Sequence, residues 1–406
     1  MRSAATETRP GKTPFLDREV PLPVRASPGS GLLLVLMVWF VVVVIVATCW
    51  IFNCPPILRH WFQTVFRSWC LDQLDRIGVS GFAVSGLAAF YVMVAIHEAG
   101  HVVAGLCVGF RIRTYRVGPL MISRPFRLSF YRGPGAIVQG IVELMPVATD
   151  HLAWRGFVMV LGGPVANFVT ATVVFLLPTS ATFFSAGLII FSVVNGVSDL
   201  LPFESRLGIS DGRRIYMLLR HRSRGERWLA LLRLAGQVND GVLPEAMSAN
   251  DLAKAVAVRD PSIDTVTAHS LAYAAAFHQK KDDEAGQLLE TCLSHSGHAT
   301  PAFREALMCD AAVFQARRRM RADLAEQWLA EIPNTTRSHW LRSRAEAAIL
   351  EAKGDVGGAL KKLDEVEAAI LALPDNSRRD VLQRLLQRWK SGLCICRTVK
   401  DGVAAE

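Results

Sequence analysis

Charge is what this chain has little of. Only 20% of its 406 residues are Asp, Glu, Lys or Arg, against 51% hydrophobic ones, and the mean hydropathy is +0.27. That balance excludes an ordinary soluble protein, and the deficit of charge sits in the first half. Paired cysteine motifs are also missing: the eight cysteines form no C-x-x-C, which removes the usual redox and zinc-ribbon patterns. Cys394 and Cys396 make a lone C-x-C that reads as reduced thiols. Cys54 and Cys70 share one inter-span loop, where a disulfide forms only if that loop lies outside the cytoplasm. No basic stripe carries interleaved aromatics, so the net charge of +9 is not a nucleic-acid footprint. In an apolar chain it points to loops facing anionic lipid.

What is present is a set of long apolar runs. The first 30 residues are rich in Pro, Arg and Ser and read as a disordered tail. Gly31 to Phe52 then carries no charge and is long enough to span a hydrocarbon core of roughly 30 Å. It lies too far from the N-terminus for a cleaved signal peptide. From Ile57 to Ile77, apolar residues recur every fourth position with Arg59, Arg67 and Arg76 between them, the pattern of a helix lying at the interface or of an amphipathic connector. Further spans are expected at about Phe82–Val108, Gly156–Leu177 and Ala181–Leu201. Between the second and third lie about forty basic residues of alternating polarity with Gly-Pro punctuation, expected to form one or two β-hairpins or a short sheet near the membrane.

Orientation follows from Lys and Arg. The tail holds Arg2, Arg9, Lys12, Arg18 and Arg25, the second loop is Arg-rich from Arg111 to Arg155, and the turn before the fourth span has none. Both tails and the second loop are therefore expected in the cytoplasm, in a multi-pass protein of the cell membrane.

Inside the second span stands "AIHEAGHVVAG", Ala95 to Gly105. Ionisable side chains are costly in hydrocarbon and mark function there. Residues four apart share one helix face, so His97 and His101 can aim two imidazoles at one zinc ion. A catalytic zinc takes three protein ligands and a water, and Glu98 stands where it can accept that water's proton, as in the H-E-x-x-H metalloprotease signature. Gly100 and Ala99 leave a small surface for a neighbouring helix. The third ligand must come from elsewhere. Asp211, in "SDG" after the fourth span, emerges on the same face as the histidines; Glu143, Asp150, Asp199 and Glu204 compete with it.

Together these residues resemble the site-2 protease family of intramembrane zinc metalloproteases, in the bacterial form without a PDZ insertion. The matches are "HEAGH" at 97–101, "GGPVANF" at 162–168, "LLP" at 200–202, "SDG" at 210–212 and "VGP" at 117–119, so the resemblance covers about residues 80 to 220. It implies that His97, His101 and Asp211 hold zinc, that Glu98 is the general base, and that Asn167 contacts the substrate backbone. The family usually has Asn before Leu-Leu-Pro; here Asp199 stands there, and Asn195, one turn earlier, becomes a second candidate for substrate contact. Asp199 is then an alternative third ligand or proton carrier.

After about Met217 the chain turns polar and helical. Three blocks, each a helix, a polar turn and a second helix, place Ala285, Ala325 and Ala359 at intervals of 40 and 34 residues. This is similar to tetratricopeptide repeats, whose period is about 34; an irregular helical bundle fits the same pattern. His269, His278, His295 and His298 are not at ligand spacing, and Trp328 and Trp340 read as core or groove residues.

The expected fold is mainly α: a polytopic membrane core of about four spans, a small membrane-edge β segment and a soluble, repeat-like C-terminal helical domain. The expected divisions are 1–30, 31–80, 81–220 and 221–406. The expected function is an intramembrane zinc endopeptidase acting on a transmembrane protein substrate in contact with lipid, with a cytosolic protein partner for the C-terminal domain and no nucleic acid. The alternatives are a membrane scaffold without proteolysis, and a metallopeptidase of another class whose third ligand is Glu143 or Glu204.

Overall fold

The computed structural model describes residues 13–23, 67–123, 126–131, 139–177, 182–205, 208–333, 339–373 and 377–403. The expected span Gly31–Phe52, the Cys54–Cys70 pairing and the turn after Leu177 lie outside the described residues. The chain divides into two compact units, residues 27–225 and residues 1–26 with 226–406.

The 27–225 unit is built on three apolar helices. Helix α1 (Arg67–Cys107) is interrupted at Gly78, whose φ of 66° is left-handed and suits a residue without Cβ. The described part of the amphipathic stretch is a helical segment that ends at this break, and the span begins beyond it. Helices α2 (Leu152–Leu176) and α3 (Phe183–Leu200) follow. The segments Asp75–Cys107, Leu152–Leu176 and Phe183–Leu200 are each long and apolar enough to cross a membrane. Their outward faces expose Val103, Leu106, Val169, Val173, Phe175 and Val197, as lipid rather than water would allow.

The three helices pack against one another, and α1 and α2 meet at glycine. A Cβ on Gly100 would run into the Gly162 carbonyl, and one on Gly162 into the Gly100 carbonyl. Backbone touches backbone at that crossing because neither residue has a side chain.

The basic loop forms a four-stranded antiparallel sheet of β1 (Phe110–Val117), β2 (Leu120–Ser123), β3 (Arg127–Phe130) and β4 (Gly140–Pro146), in the order β3-β2-β1-β4. "VGP" makes the β1–β2 turn, where Gly118 has φ 56° and no room for a Cβ against Tyr91. Tyr115 Oη donates to the Ala95 carbonyl at 2.7 Å and fixes β1 on α1. Arg155 donates to the Val108 and Gly109 carbonyls at 2.5 and 2.7 Å, tying α2 to the end of α1. The β2–β3 hairpin exposes Leu120, Ile122, Phe126, Leu128 and Phe130.

After α3, β5 (Glu204–Ser205) pairs with β6 (Gly208–Ile209) and leads into α4 (Asp211–Arg220). Helix α5 (Arg222–Asn239) carries the chain into the second unit. There α6 (Ala249–Val256) precedes three helical hairpins: α7 (Ile263–His278) with α8 (Asp282–Ser294), α9 (Pro301–Arg317) with α10 (Ala322–Glu331), and α11 (His339–Ala352) with α12 (Val356–Leu371). Helix α13 (Ser377–Val403) closes the series.

The hairpins repeat in backbone geometry. Lys280, Met320 and Gly354 are each left-handed, with φ of 60°, 54° and 83°. The next residues, Lys281, Arg321 and Asp355, have φ/ψ of −91/75°, −104/78° and −83/81°. Five residues beyond each left-handed position comes Ala285, Ala325 or Ala359, all fully buried, where the second helix of the hairpin packs on the first. The core around Ala285 and Ala325 also takes in Leu16 from the N-terminal segment. The expectation of disorder through residue 30 thus fails for residues 13–23. They form a turn in which Asp17 N donates to the Thr13 carbonyl at 2.8 Å and Arg18 is left-handed.

Candidate metal centre

Helix geometry puts His97 and His101 on one face of α1, and the site grows from there. His101 Nδ1 lies 2.9 Å from the Met159 carbonyl of α2. A carbonyl only accepts, so this nitrogen carries the proton and the neutral ring presents a bare lone pair at Nε2. That lone pair stands 3.2 Å from His97 Nε2 and 3.2 Å from Asp211 Oδ2. His97 Nε2 is 3.4 Å from the same oxygen.

Three ligands each about 2.05 Å from a tetrahedral zinc stand about 3.3 Å apart. The observed separations form one face of such a tetrahedron. Two acceptors facing each other at this range repel unless a positive centre lies between them, which a divalent cation would supply. His97, His101 and Asp211, all buried, are the His/Cys/Asp/Glu group that fits a metal ion among the described residues.

Helix α2 shapes the floor. Met159, Gly163 and Asn167 recur every fourth residue and line one face. A Cβ on Gly163 would strike Nε2 of both histidines, so the missing side chain is what leaves space for the ion. Asn167 is fully buried, with Nδ2 3.0 Å from His97 Nδ1, and its Oδ1 has no hydrogen-bond partner among the described residues. Turning the amide over sets Oδ1 on a protonated Nδ1, which satisfies the orphaned oxygen and frees Nε2 of His97 for the metal. The family resemblance sets Asn167 against the substrate rather than behind His97; the four-residue spacing of Met159, Gly163 and Asn167 is a signal that could have placed it on the face lining the histidines.

The "SDG" triplet has three separate jobs. Ser210 Oγ caps α4 by accepting from Arg213 N at 3.2 Å and donates to the Leu201 carbonyl at 2.7 Å, which ties the helix start to the end of α3. Asp211 then opens α4, where the helix dipole favours a carboxylate. Gly212 lies so close to the Leu200 backbone that no Cβ fits.

The competing acids fall elsewhere. Asp199 Oδ2 is 3.6 Å from His97 Nε2 and accepts from Asn195 Nδ2 at 2.6 Å; it reaches one imidazole where Asp211 reaches both. Asn195 Nδ2 is 3.5 Å from His97 Nδ1. Glu143 accepts from Thr114 at 3.1 Å on the sheet, and Asp150 pairs with Arg155 at 3.6 Å. Of Glu204, only the backbone in β5 is described. Glu98 is buried and packs on Gly140, the first residue of β4, where a Cβ would meet its carboxylate.

Against known proteins, a family model described as Peptidase family M50 matches residues 85–360, well over half of the chain. No curated protein and no solved structure matches the chain.

Proposed function

The chain belongs to peptidase family M50 and is a membrane metalloprotease of the site-2 type, and from that premise we propose that it is a zinc endopeptidase that cuts a transmembrane segment of a membrane-anchored substrate. The observation that carries this is the triangle of His97 Nε2, His101 Nε2 and Asp211 Oδ2, with sides of 3.2 to 3.4 Å, at the end of an apolar helix.

Zinc, when bound, lowers the pKa of its water towards about 7 and polarises a carbonyl. The chain supplies the rest. Glu98 takes a proton from the attacking water on a carboxylate oxygen and delivers it to the leaving amine. Asn167 holds His97 in the ring orientation that points Nε2 inward. Asn195 and Asp199, less enclosed, border the space a substrate carbonyl would enter.

A transmembrane helix hides its peptide bonds in internal hydrogen bonds and must unwind before attack. Strand β4 pairs only with β1 among the described residues, so its other edge is free to take an extended strand. Because Gly140 packs on Glu98, a strand laid along that edge passes the general base. The apolar β2–β3 hairpin is suited to contact lipid beside it. In this reading both termini face the cytoplasm of a multi-pass cell-membrane protein, and the helical unit serves a cytosolic protein partner.

The test is a pair of measurements on purified chain and on membranes. Glu98→Gln is expected to keep stoichiometric zinc by elemental analysis. Membrane-protein fragments produced by the wild type are expected to be missing from cells that carry only the variant. Unchanged fragments would sink the proposal, as would wild-type chain that binds no zinc.

A further inference from the structure

Residues 13–23 are separated by more than 200 positions from the helices they touch, yet polar groups of Phe15, Leu16, Asp17, Arg18 and Pro23 are all held by side chains of those helices. Phe15 N and Leu16 N donate to the two oxygens of Glu290, at 3.0 and 2.8 Å. The Leu16 carbonyl accepts from Gln315 Nε2 at 2.8 Å and Trp328 Nε1 at 3.1 Å. Asp17 pairs with Arg319 at 2.5 Å. Arg18 pairs with Glu331, and its guanidinium lies 5.0 Å from the centre of the Trp328 ring. Arg304 donates to the Pro23 carbonyl at 2.9 Å. The Leu16 side chain fills a socket among α8, α9 and α10 and is fully buried.

The chemistry on the helical side is that of a receptor. Glu290, Gln315 and Trp328 are 8%, 0% and 1% exposed. The hydrogen bonds named above for Glu290 and Trp328 go to main-chain groups of the segment. These exposures hold with the segment in place; with it lifted away the same donors and acceptors lose their partners and are open to a replacement of the same chemistry. Recognition is divided in the way peptide sites divide it: main-chain contacts hold the turn, the Leu16 socket fixes its register, and two flanking charges select their opposites.

We infer that the three-hairpin domain is a peptide-binding module for a single turn bearing Leu-Asp-Arg, and that residues 13–23 of the same chain are its resident, removable ligand. The segment is a clasp bound in cis rather than a fixed part of the domain core. Tethering makes its binding intramolecular, so a competing segment must overcome that advantage to enter.

The test uses full-length protein in detergent and a fluorescein-labelled peptide with the sequence of residues 12–24. Leu16→Asp is expected to empty the groove, so the peptide binds this variant at least about tenfold more tightly than wild type. Adding Glu290→Ala to Leu16→Asp is expected to remove that binding. Hydrogen exchange supplies the second arm. In Glu290→Ala alone, amides of residues 13–23 should lose protection while α9 and α10 keep theirs. Equal binding to wild type and Leu16→Asp overturns the inference, as does no binding to either. Exchange of α9 and α10 rising together with the segment overturns it too, because the segment would then be core. Protection of residues 13–23 that disappears on dilution would assign the ligand to a second copy and overturn the cis clasp.

Discussion

Nε2 of His101 and Oδ2 of Asp211 stand 3.2 Å apart, with neither atom holding a proton of its own when the ring is neutral. That contact favours Asp211 over Asp199 as the acid completing the site. Asp211→Ala is expected to lower zinc affinity by more than about 100-fold, since a ligand outweighs the outer partners whose loss costs about 10–100-fold. Asp199→Asn is expected to retain zinc. Chelator competition on the two purified variants gives the answer, and the reverse ranking would move the third ligand to Asp199.

Asn167 stands outside the His97–His101–Asp211 triangle but is hydrogen-bonded to the His97 ring. Asn167→Ala is expected to weaken zinc by about 10–100-fold while leaving the helices folded. If zinc affinity is untouched and only turnover falls, Asn167 acts on substrate instead.

Gly163→Ala separates fold from function. Alanine favours a helix over glycine by about 1 kcal/mol, so α2 should not suffer. The new methyl occupies the space facing both Nε2 atoms. Expected is a folded, zinc-free and inactive protein; full zinc occupancy would show that the ion sits off the Gly163 side.

His269 makes the helical unit acid-sensitive. It is fully buried; Nδ1 is 2.8 Å from the Thr265 carbonyl, and Nε2 lacks a partner among the described residues. Burial, with Arg259, His295 and Arg227 nearby, brings its pKa down to about 4. The unfolded imidazole titrates near 6.5. The unfolded state therefore binds more protons between those values, and stability falls as pH drops from about 6.5 to about 4, by up to about 3 kcal/mol. Half-buried His278, also brought down to about 4, adds a smaller share in the same direction. Hydrogen exchange of α7 at pH 7 and pH 5 should show the loss, and His269→Gln should reduce it. An unchanged slope in the variant would assign the effect elsewhere.

The repeated alanines set the spacing inside each hairpin. Ala325→Leu forces extra volume into a fully buried contact and is expected to cost about 1–3 kcal/mol. Thermal unfolding of the helical unit measures it, and a neutral result would mean slack at the α9–α10 contact.

Local chemistry made part of this legible from sequence. His97, Glu98 and His101 are read from helix periodicity and the spans from missing charge; chain order offers Asp211 among five acids, and the resemblance to the site-2 family singles it out. Relations between distant residues were not legible. Nothing in "TPFLDREVPLP" announces that Glu290 and Trp328 will hold it, so its polar, Pro-rich composition reads as disorder. The hairpin turns are hidden for another reason: two of the three left-handed positions are Lys280 and Met320, not glycine. Gly163 looks like a packing residue until the imidazoles are placed above it.

The clasp of Leu16 on the helical unit also imposes a parity rule. Two stretches of chain that touch must lie in the same compartment, so the polypeptide joining Pro23 to Glu226 passes through the bilayer an even number of times. Three helices between Asp75 and Leu200 are long and apolar enough to cross; counting each as one pass, the total becomes even with one more ahead of Asp75. Single cysteines at exposed Val20 and Leu373 should accordingly react with an impermeant thiol reagent from the same side of sealed vesicles.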